Sequence, residues 1–302
     1  MHGIVKVMNR SRLKRIAVVV ILALTIVLFI RFFKQHPQYV EELRQTSPWV
    51  LVQLLIVNFM LLGVITVLNQ IIGQIAGKKI GTKENFLLSI YSTLANFFGP
   101  LQSGPGVRAA YLKTKHSISL RAYTIATLMY YGFFATWAVL FMLIGTRPWW
   151  QTLLAVAAAG GFSYFVIQRV STRKPKKSEG TGRIVTSKRL WSALAALTLV
   201  QLLFWTLRYY IELRSVGAYV SLGQALSYTG SASLALFVSI TPDGIGIREA
   251  FLMAAQQIHG VSTPDIVSAN LIDRAFYIVY LGLIFLIALA THASDRFGQR
   301  KK

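Results

Sequence analysis

The sequence predicts an all-α integral membrane protein. Three observations lead there: apolar runs long enough to cross a bilayer, a scarcity of charge, and a lopsided placement of the charge that is present. Of 302 residues, 54% are hydrophobic and only 14% are charged, where soluble domains carry roughly a quarter. Runs at 16–33, 48–68, 122–145, 149–167, 190–211 and 266–290 approach the ~20 residues that carry a helix across hydrocarbon. Two shorter stretches, 86–98 and 225–240, lie between them. The run at 16–33 is followed by Arg31-Phe32-Phe33-Lys34 rather than by small residues, so it is expected to stay as a span and not to be cleaved as a signal peptide.

Charge placement sets the topology. If both short stretches crossed the membrane, the basic loop 168–189 would face the side opposite the basic N-terminus, against the positive-inside rule. If 86–112 and 225–252 instead each enter, turn and leave on the same side, 23 of the 32 Lys and Arg residues collect on the cytoplasmic face and five lie outside. The remaining four, Arg108, Arg208, Arg248 and Arg274, fall at membrane depth. The expectation is therefore six spanning helices plus two re-entrant helical hairpins, with both termini cytoplasmic, in a cell (inner) membrane. The basic residues sit in turns beside the membrane rather than on one compact domain, so anionic lipid and not nucleic acid is the expected partner of the +22 net charge. With no cysteine, thiol chemistry and Cys-based metal sites are excluded. The five histidines lie near loops or ends, no metal-spaced carboxylate group is seen, and no cofactor is expected.

A shift of 140 residues aligns 94–112 with 234–252, with Leu94/Leu234, Ala95/Ala235, Phe97/Phe237, Gly104/Gly244, Gly106/Gly246, Arg108/Arg248, Ala110/Ala250 and Leu112/Leu252 identical. Both copies read G-x-G-[VI]-R-x-A-[FY]-L. Gly77 meets Gly217 in the same register, so the repeat includes the helix before each hairpin. Under the charge-derived topology the copies, about 48–145 and 190–290, enter from opposite sides within one membrane domain spanning 1–302. An inverted repeat of this kind is the pattern of transporters, whose Gly/Pro-interrupted half-helices point their ends at a site near the bilayer midplane. Duplication that left only small residues for helix packing is the plainer alternative; it explains the glycines but not an arginine kept in both copies.

The first tip contains Pro100, Gly104, Pro105, Gly106 and Arg108, and the second Pro242, Asp243, Gly244, Gly246, Arg248 and Glu249. The prolines stop the incoming helix, and the glycines allow positive φ and bare backbone N–H groups. A helix start near Val107 adds partial positive charge beside a guanidinium. Both tips read as anion sockets suited to phosphate; the competing reading of each arginine is snorkelling to the interface. Asp273 and Arg274 enter the last span together, where an unpaired charge costs ~3 kcal/mol or more. They are expected to face the interior, with Arg274 pairing Glu249 or Asp243 when no lipid is bound. Arg208 and Glu212, four apart near a span end, read as a structural pair on one helix face.

At Pro242-Asp243-Gly244-Ile245-Gly246-Ile247-Arg248-Glu249 the chain resembles the transmembrane flippase region of lysylphosphatidylglycerol synthases and its stand-alone relatives, over about 16–290. That resemblance implies movement of a polar lipid between leaflets. Members that also carry a soluble aminoacyl-transferase domain have it after this region; the chain ends twelve residues past Ala290, so lysyl transfer is not implied and an enzyme is not expected. The first copy has Ala109 where the second has Glu249, so the acidic role carries over only to Glu249. The expected function is a translocase for an anionic or polar (glyco)phospholipid, alone, as a homo-oligomer or beside a partner membrane enzyme. The alternative is an intramembrane enzyme or accessory subunit acting on a lipid-phosphate or glycosyl carrier, with Asp243 or Glu249 as base.

Overall fold

A computed structural model describes residues 44–299 except 100–102, 145, 173–183, 186, 242–243 and 245, together with Arg31, Lys34, Gln35, Pro37 and Glu41. Among the described residues every regular element is an α-helix: α1 Pro48–Ile75, α2 Thr82–Phe98, α3 Gly104–His116, α4 Leu120–Leu143, α5 Trp149–Thr172, α6 Lys188–Ser215, α7 Leu222–Val238, α8 Ile247–Ala254, the single turn α9 Gln256–His259, and α10 Thr263–Gln299. Five of these are long and apolar enough to cross a bilayer: Pro48–Ile75, Leu120–Leu143, Trp149–Arg169, Lys188–Ser215 and Thr263–His292. They fall on five of the six runs marked in the sequence; the sixth, 16–33, lies outside the described residues. The last helix continues to Gln299, beyond the expected end at 290. The basic loop expected over 168–189 is shorter than that, because α5 runs to Thr172 and α6 begins at Lys188.

The repeat is visible in the elements themselves. α1 and α6 are both 28 residues long and α2 and α7 both 17, and each pair starts and ends 140 positions apart. The same reversal ends α1 and α6. Gly77 at φ +92° and Gly217 at φ +87° take the left-handed conformation; Lys78 N–H then donates to the Gly73 carbonyl at 2.9 Å and Ala218 N–H to that of Leu213 at 3.0 Å. Glycine meets the positive φ without a Cβ penalty, and the backward bonds satisfy carbonyls that a helix end would otherwise orphan.

α1 and α6 pack on each other in opposite directions. Leu68, Ile72 and Ile75 at the end of α1 share a core with Leu190, Leu194 and Leu197 at the start of α6, and Val185 N–H donates to the Ile75 carbonyl at 2.9 Å. At the other end, Val50 and Gln53 share a groove with Tyr210 and Arg214. Around this pair the halves interlock: α2 packs on α10, and α7 on α4. The α7–α4 crossing is close enough that a Cβ on Gly230 would lie 2.5 Å from the Ala138 carbonyl oxygen. Around this crossing α7 carries Ser227, Thr229, Ser231 and Ser233 on both of its sides, all fully buried, and such small side chains are what let helix backbones approach in lipid. α5 is peripheral, resting on α4 with Trp149, Leu153, Leu154 and Phe162 outward.

Both short segments are helical hairpins. α2 and α3 meet at their far ends through Glu84, whose carboxylate accepts from Tyr111 Oη at 2.6 Å and pairs with Lys115 at 2.9 Å and His116 at 2.7 Å. Burial opposes ionisation of Glu84, but these three donors outweigh it and hold its pKa at about 2. At the tip, Gly104 N–H donates to Asn96 Oδ1 at 2.7 Å. The second hairpin closes in the same sense: Tyr228 near the start of α7 stacks edge-on against His259 at 5.2 Å. Buried His259 in turn accepts from Val261 N–H at Nδ1 (3.1 Å) and donates from Nε2 to the Leu252 carbonyl (2.9 Å).

Candidate functional site

The second hairpin delivers Arg248 and Glu249 to the first turn of α8, with Gly244 and Gly246 ahead of them at φ +70° and +82°. That conformation suits glycine, as the sequence led one to expect. α10 supplies Asp273 and Arg274, and α6 supplies Arg208 and Glu212. The six side chains form two adjoining ion-paired groups, Arg208–Glu212–Asp273–Arg248 and Arg274–Glu249, buried except for the partly exposed Glu249. Asp273 accepts from Arg248 Nη2 at 2.6 Å through Oδ2 and pairs with Arg208 Nη2 at 3.0 Å through Oδ1. Glu212 Oε1 lies 3.4 Å from Arg208 Nε. Arg274 binds the Glu249 carboxylate, with its Nε donating to Oε1 at 3.1 Å. Three arginines thus meet three carboxylates, and the cluster is neutral when all six are ionised. Arg208 also lies over the rings of Tyr209 and Tyr277 at 5.2 and 5.8 Å, an arrangement that favours a desolvated guanidinium.

Arg208, Arg248 and Asp273 border a central cavity of about 100 Å³, lined elsewhere by Asn58 and Leu62 of α1, Thr93 of α2 and Tyr277 of α10. At ~30 Å³ per water this holds a few waters, and it is too small for a phospholipid head group. A head group can enter only if helices around the cavity part.

The first hairpin differs. Arg108, half-buried in the second turn of α3, donates to Asn69 Oδ1 of α1, and Asn69 Nδ2 donates to Ser89 Oγ of α2 at 2.8 Å. Among the described residues no carboxylate pairs with Arg108, and its buried Nε has no hydrogen-bond partner. The 140-residue shift explains the contrast: the positions matching Arg208, Glu212, Glu249, Asp273 and Arg274 hold Leu68, Ile72, Ala109, Phe133 and Phe134. One copy carries a guanidinium met by the neutral Asn69 amide and the other a charge-compensated cluster.

Several expectations need correction. Gly104 and Gly106 are not in positive φ; α3 begins at Gly104 rather than near Val107. Gly104 is required instead for close approach, since a Cβ there would lie 2.5 Å from the Ser92 carbonyl oxygen, whereas one on Gly106 would meet nothing within 4 Å. At the second tip, Glu249 accepts from Gly246 N–H at 2.8 Å, and Arg248 is paired with Asp273. Arg208 and Glu212 do pair four apart on α6, as expected, but Arg208 also meets Asp273 of α10, so the pair joins a wider cluster instead of standing alone. Of the two partners expected for Arg274, Glu249 takes the role; Asp243 lies outside the described residues, as do Pro100 and Pro242.

With this geometry in hand, the comparison with protein families gives a direct result. The family model described as the lysylphosphatidylglycerol synthase TM region matches residues 15–286, which includes both hairpins and every network residue. The chain belongs to that family. No curated protein matches it. As a member of the lysylphosphatidylglycerol synthase TM-region family it is a multi-pass helical membrane protein related to lipid synthesis or flipping, with the spans and hairpins described above forming the family's membrane region.

Proposed function

We propose that the protein is a lipid translocase that moves an anionic or polar phospholipid between leaflets of the cell membrane. The two copies act as inverted repeats, with six spanning helices, two re-entrant hairpins and cytoplasmic termini. The phosphate of the head group is held by Arg108 on the cytoplasmic side and by Arg248 on the outer side, while the acyl chains stay in the bilayer. The observation that carries this reading is the pair of guanidiniums at one register of the two copies, each within the first two turns of the helix that follows its glycine-rich tip. The antiparallel packing of α1 on α6 supports the inversion, because these are corresponding elements of the two copies. The unsatisfied Nε of Arg108 supports an anion at the first hairpin, since a buried N–H without an acceptor costs about 1–3 kcal/mol. The small central cavity supports an alternating mechanism, in which the Arg248–Asp273 and Arg274–Glu249 pairs hold one state and lipid phosphate replaces the carboxylates in the other.

The test is reconstitution. Liposomes containing the purified protein and a fluorescent phosphatidylglycerol are expected to expose inner-leaflet label to an external quencher at a rate set by the protein, with no new lipid product. Arg248→Ala is expected to lower that rate at least tenfold while keeping the wild-type elution profile in detergent. A wild-type rate in Arg248→Ala would remove the second hairpin from the mechanism, and appearance of a modified lipid would favour an intramembrane enzyme.

A further inference from the structure

The network around Asp273 makes a demand on any phosphate that binds there. Arg248 is already matched by Asp273 at 2.6 Å, and the six-residue cluster balances three positive against three negative charges. A phosphodiester arriving at Arg248 adds one negative charge to a site 3–7% exposed at Arg208, Arg248 and Asp273. An unbalanced charge at such depth costs several kcal/mol. Neutrality returns if one carboxylate takes a proton.

Glu212 is placed to take part. It is 1% exposed, it adjoins Asp273, and its Oε1 faces Arg208 Nε at 3.4 Å with neither atom in a hydrogen bond. It also sits three residues from the end of α6, on the outer side in the topology above, so the path from water is short. The groups facing the Glu212 and Asp273 carboxyls are Arg208 and Tyr209 from α6, Tyr228 from α7, Arg248 from α8, and Arg274 and Tyr277 from α10. α1 and α2 contribute the neutral Asn58 and Thr93 to the adjoining cavity. Glu249 also lies near Arg248 but is held by Arg274 and by Gly246 N–H, so among the described residues Glu212 and Asp273 are the carboxyls placed to accept a proton in exchange for the incoming phosphate. The first copy has Ile72 and Phe133 at the matching positions, so this capacity belongs to the second hairpin alone.

We infer that the Glu212/Asp273 carboxyl pair is a proton-binding site that couples lipid to protons: one proton from the outer aqueous phase binds the pair as a singly charged phospholipid head group displaces Asp273 from Arg248, and the two leave together. This rests on the translocase reading and adds its driving ion. Because both ligands share one state, they move in the same direction, and a singly anionic lipid with one proton moves no net charge. A tenfold proton gradient is then expected to sustain about a tenfold lipid gradient toward the alkaline side.

The test is proton uptake on binding. The full-length protein in detergent and very dilute buffer, with a pH-indicating dye, is titrated with short-chain phosphatidylglycerol. About one proton taken up per lipid bound is expected for the wild type and for Glu84→Gln, and close to none for Glu212→Gln while lipid still binds. If Glu212→Gln does not fold, the wild type alone decides, since its lipid Kd should weaken about tenfold per pH unit through the range where uptake occurs. Lipid binding without proton uptake, a pH-independent Kd, or full uptake in Glu212→Gln overturns the coupling and leaves the translocase reading standing. Absence of lipid binding by the wild type overturns both.

Discussion

Truncating Asp273 leaves Arg208 and Arg248 buried without the carboxylate that both of them pair with, and Glu212 still beside Arg208. Breaking a buried pair from one side costs about 3–5 kcal/mol, so Asp273→Ala is expected to lower the thermal unfolding midpoint in detergent markedly. Replacing both partners, as in Arg248→Met with Asp273→Leu, removes one charge of each sign and leaves Arg208–Glu212 and Arg274–Glu249 balanced. That double variant is expected to recover most of the lost stability and still to be inactive in lipid translocation, which separates the structural from the functional role of the pair. Its measurement is the same melting curve beside the liposome assay. At this scale the sequence was only partly legible. Arg248, Glu249, Asp273 and Arg274 stood out because charge within an apolar run demands a partner, but which carboxylate meets which guanidinium depends on how α6, α8 and α10 cross. Arg208 and Glu212 were hidden by their i, i+4 spacing, which a local pair explains equally well. The signal that distinguishes them is the repeat: charge stands where the other copy has Leu68 and Ile72.

Among the helices, the hairpins are held by different means at their two ends. His259 pins the return of the second hairpin only as the neutral ring, because Nδ1 accepts from Val261 N–H while Nε2 donates to Leu252. Burial pushes its pKa below the usual histidine value, partly opposed by the Leu252 carbonyl. A group held below its unfolded value of about 6.5 adds stability above that pH and loses it as pH falls through the folded value. The protein is therefore expected to melt at lower temperature as pH drops below about 6.5, and His259→Gln to flatten that part of the profile. Glu84 acts the same way on the first hairpin, with its contribution present above about 4.5 and lost toward about 2. A different constraint holds α7 on α4. Because a Cβ on Gly230 would strike backbone atoms of Ala138 and Met142, which cannot swing aside, Gly230→Ala should cost about 1–3 kcal/mol, read as a lower melting midpoint, whereas Gly106→Ala should cost little. Element identities were well marked in the sequence, since five of the runs became helices that can span. The glycines were marked as special at both tips, yet φ differs between copies: Gly244 and Gly246 turn the chain, while Gly104 serves contact with Asn96 and Ser92. An identical motif does not impose identical backbone, because the residues packed around each tip differ.

For the molecule as a whole, the 140-residue register extends from a short motif to whole helices, their reversals at Gly77 and Gly217, and the crossed packing of α2 on α10 and α7 on α4. Charge asymmetry in the sequence assigns opposite sides to the two hairpins, and α1 and α6 run antiparallel. What composition and spacing leave open is function beyond the membrane: the neutral network of one copy and the Arg108–Asn69 contact of the other emerge only once the helices are assembled. The transport reading depends on the two hairpins opening toward opposite faces, and the absence of native cysteine makes that accessible to single-cysteine labelling. Lys115 and Gln257, both exposed near the return ends of the first and second hairpins, are the positions to use. In intact cells treated with a membrane-impermeant maleimide, Gln257→Cys is expected to react from outside and Lys115→Cys only after the membrane is opened; labelling of both from the same side would contradict the inverted arrangement and the translocase built on it.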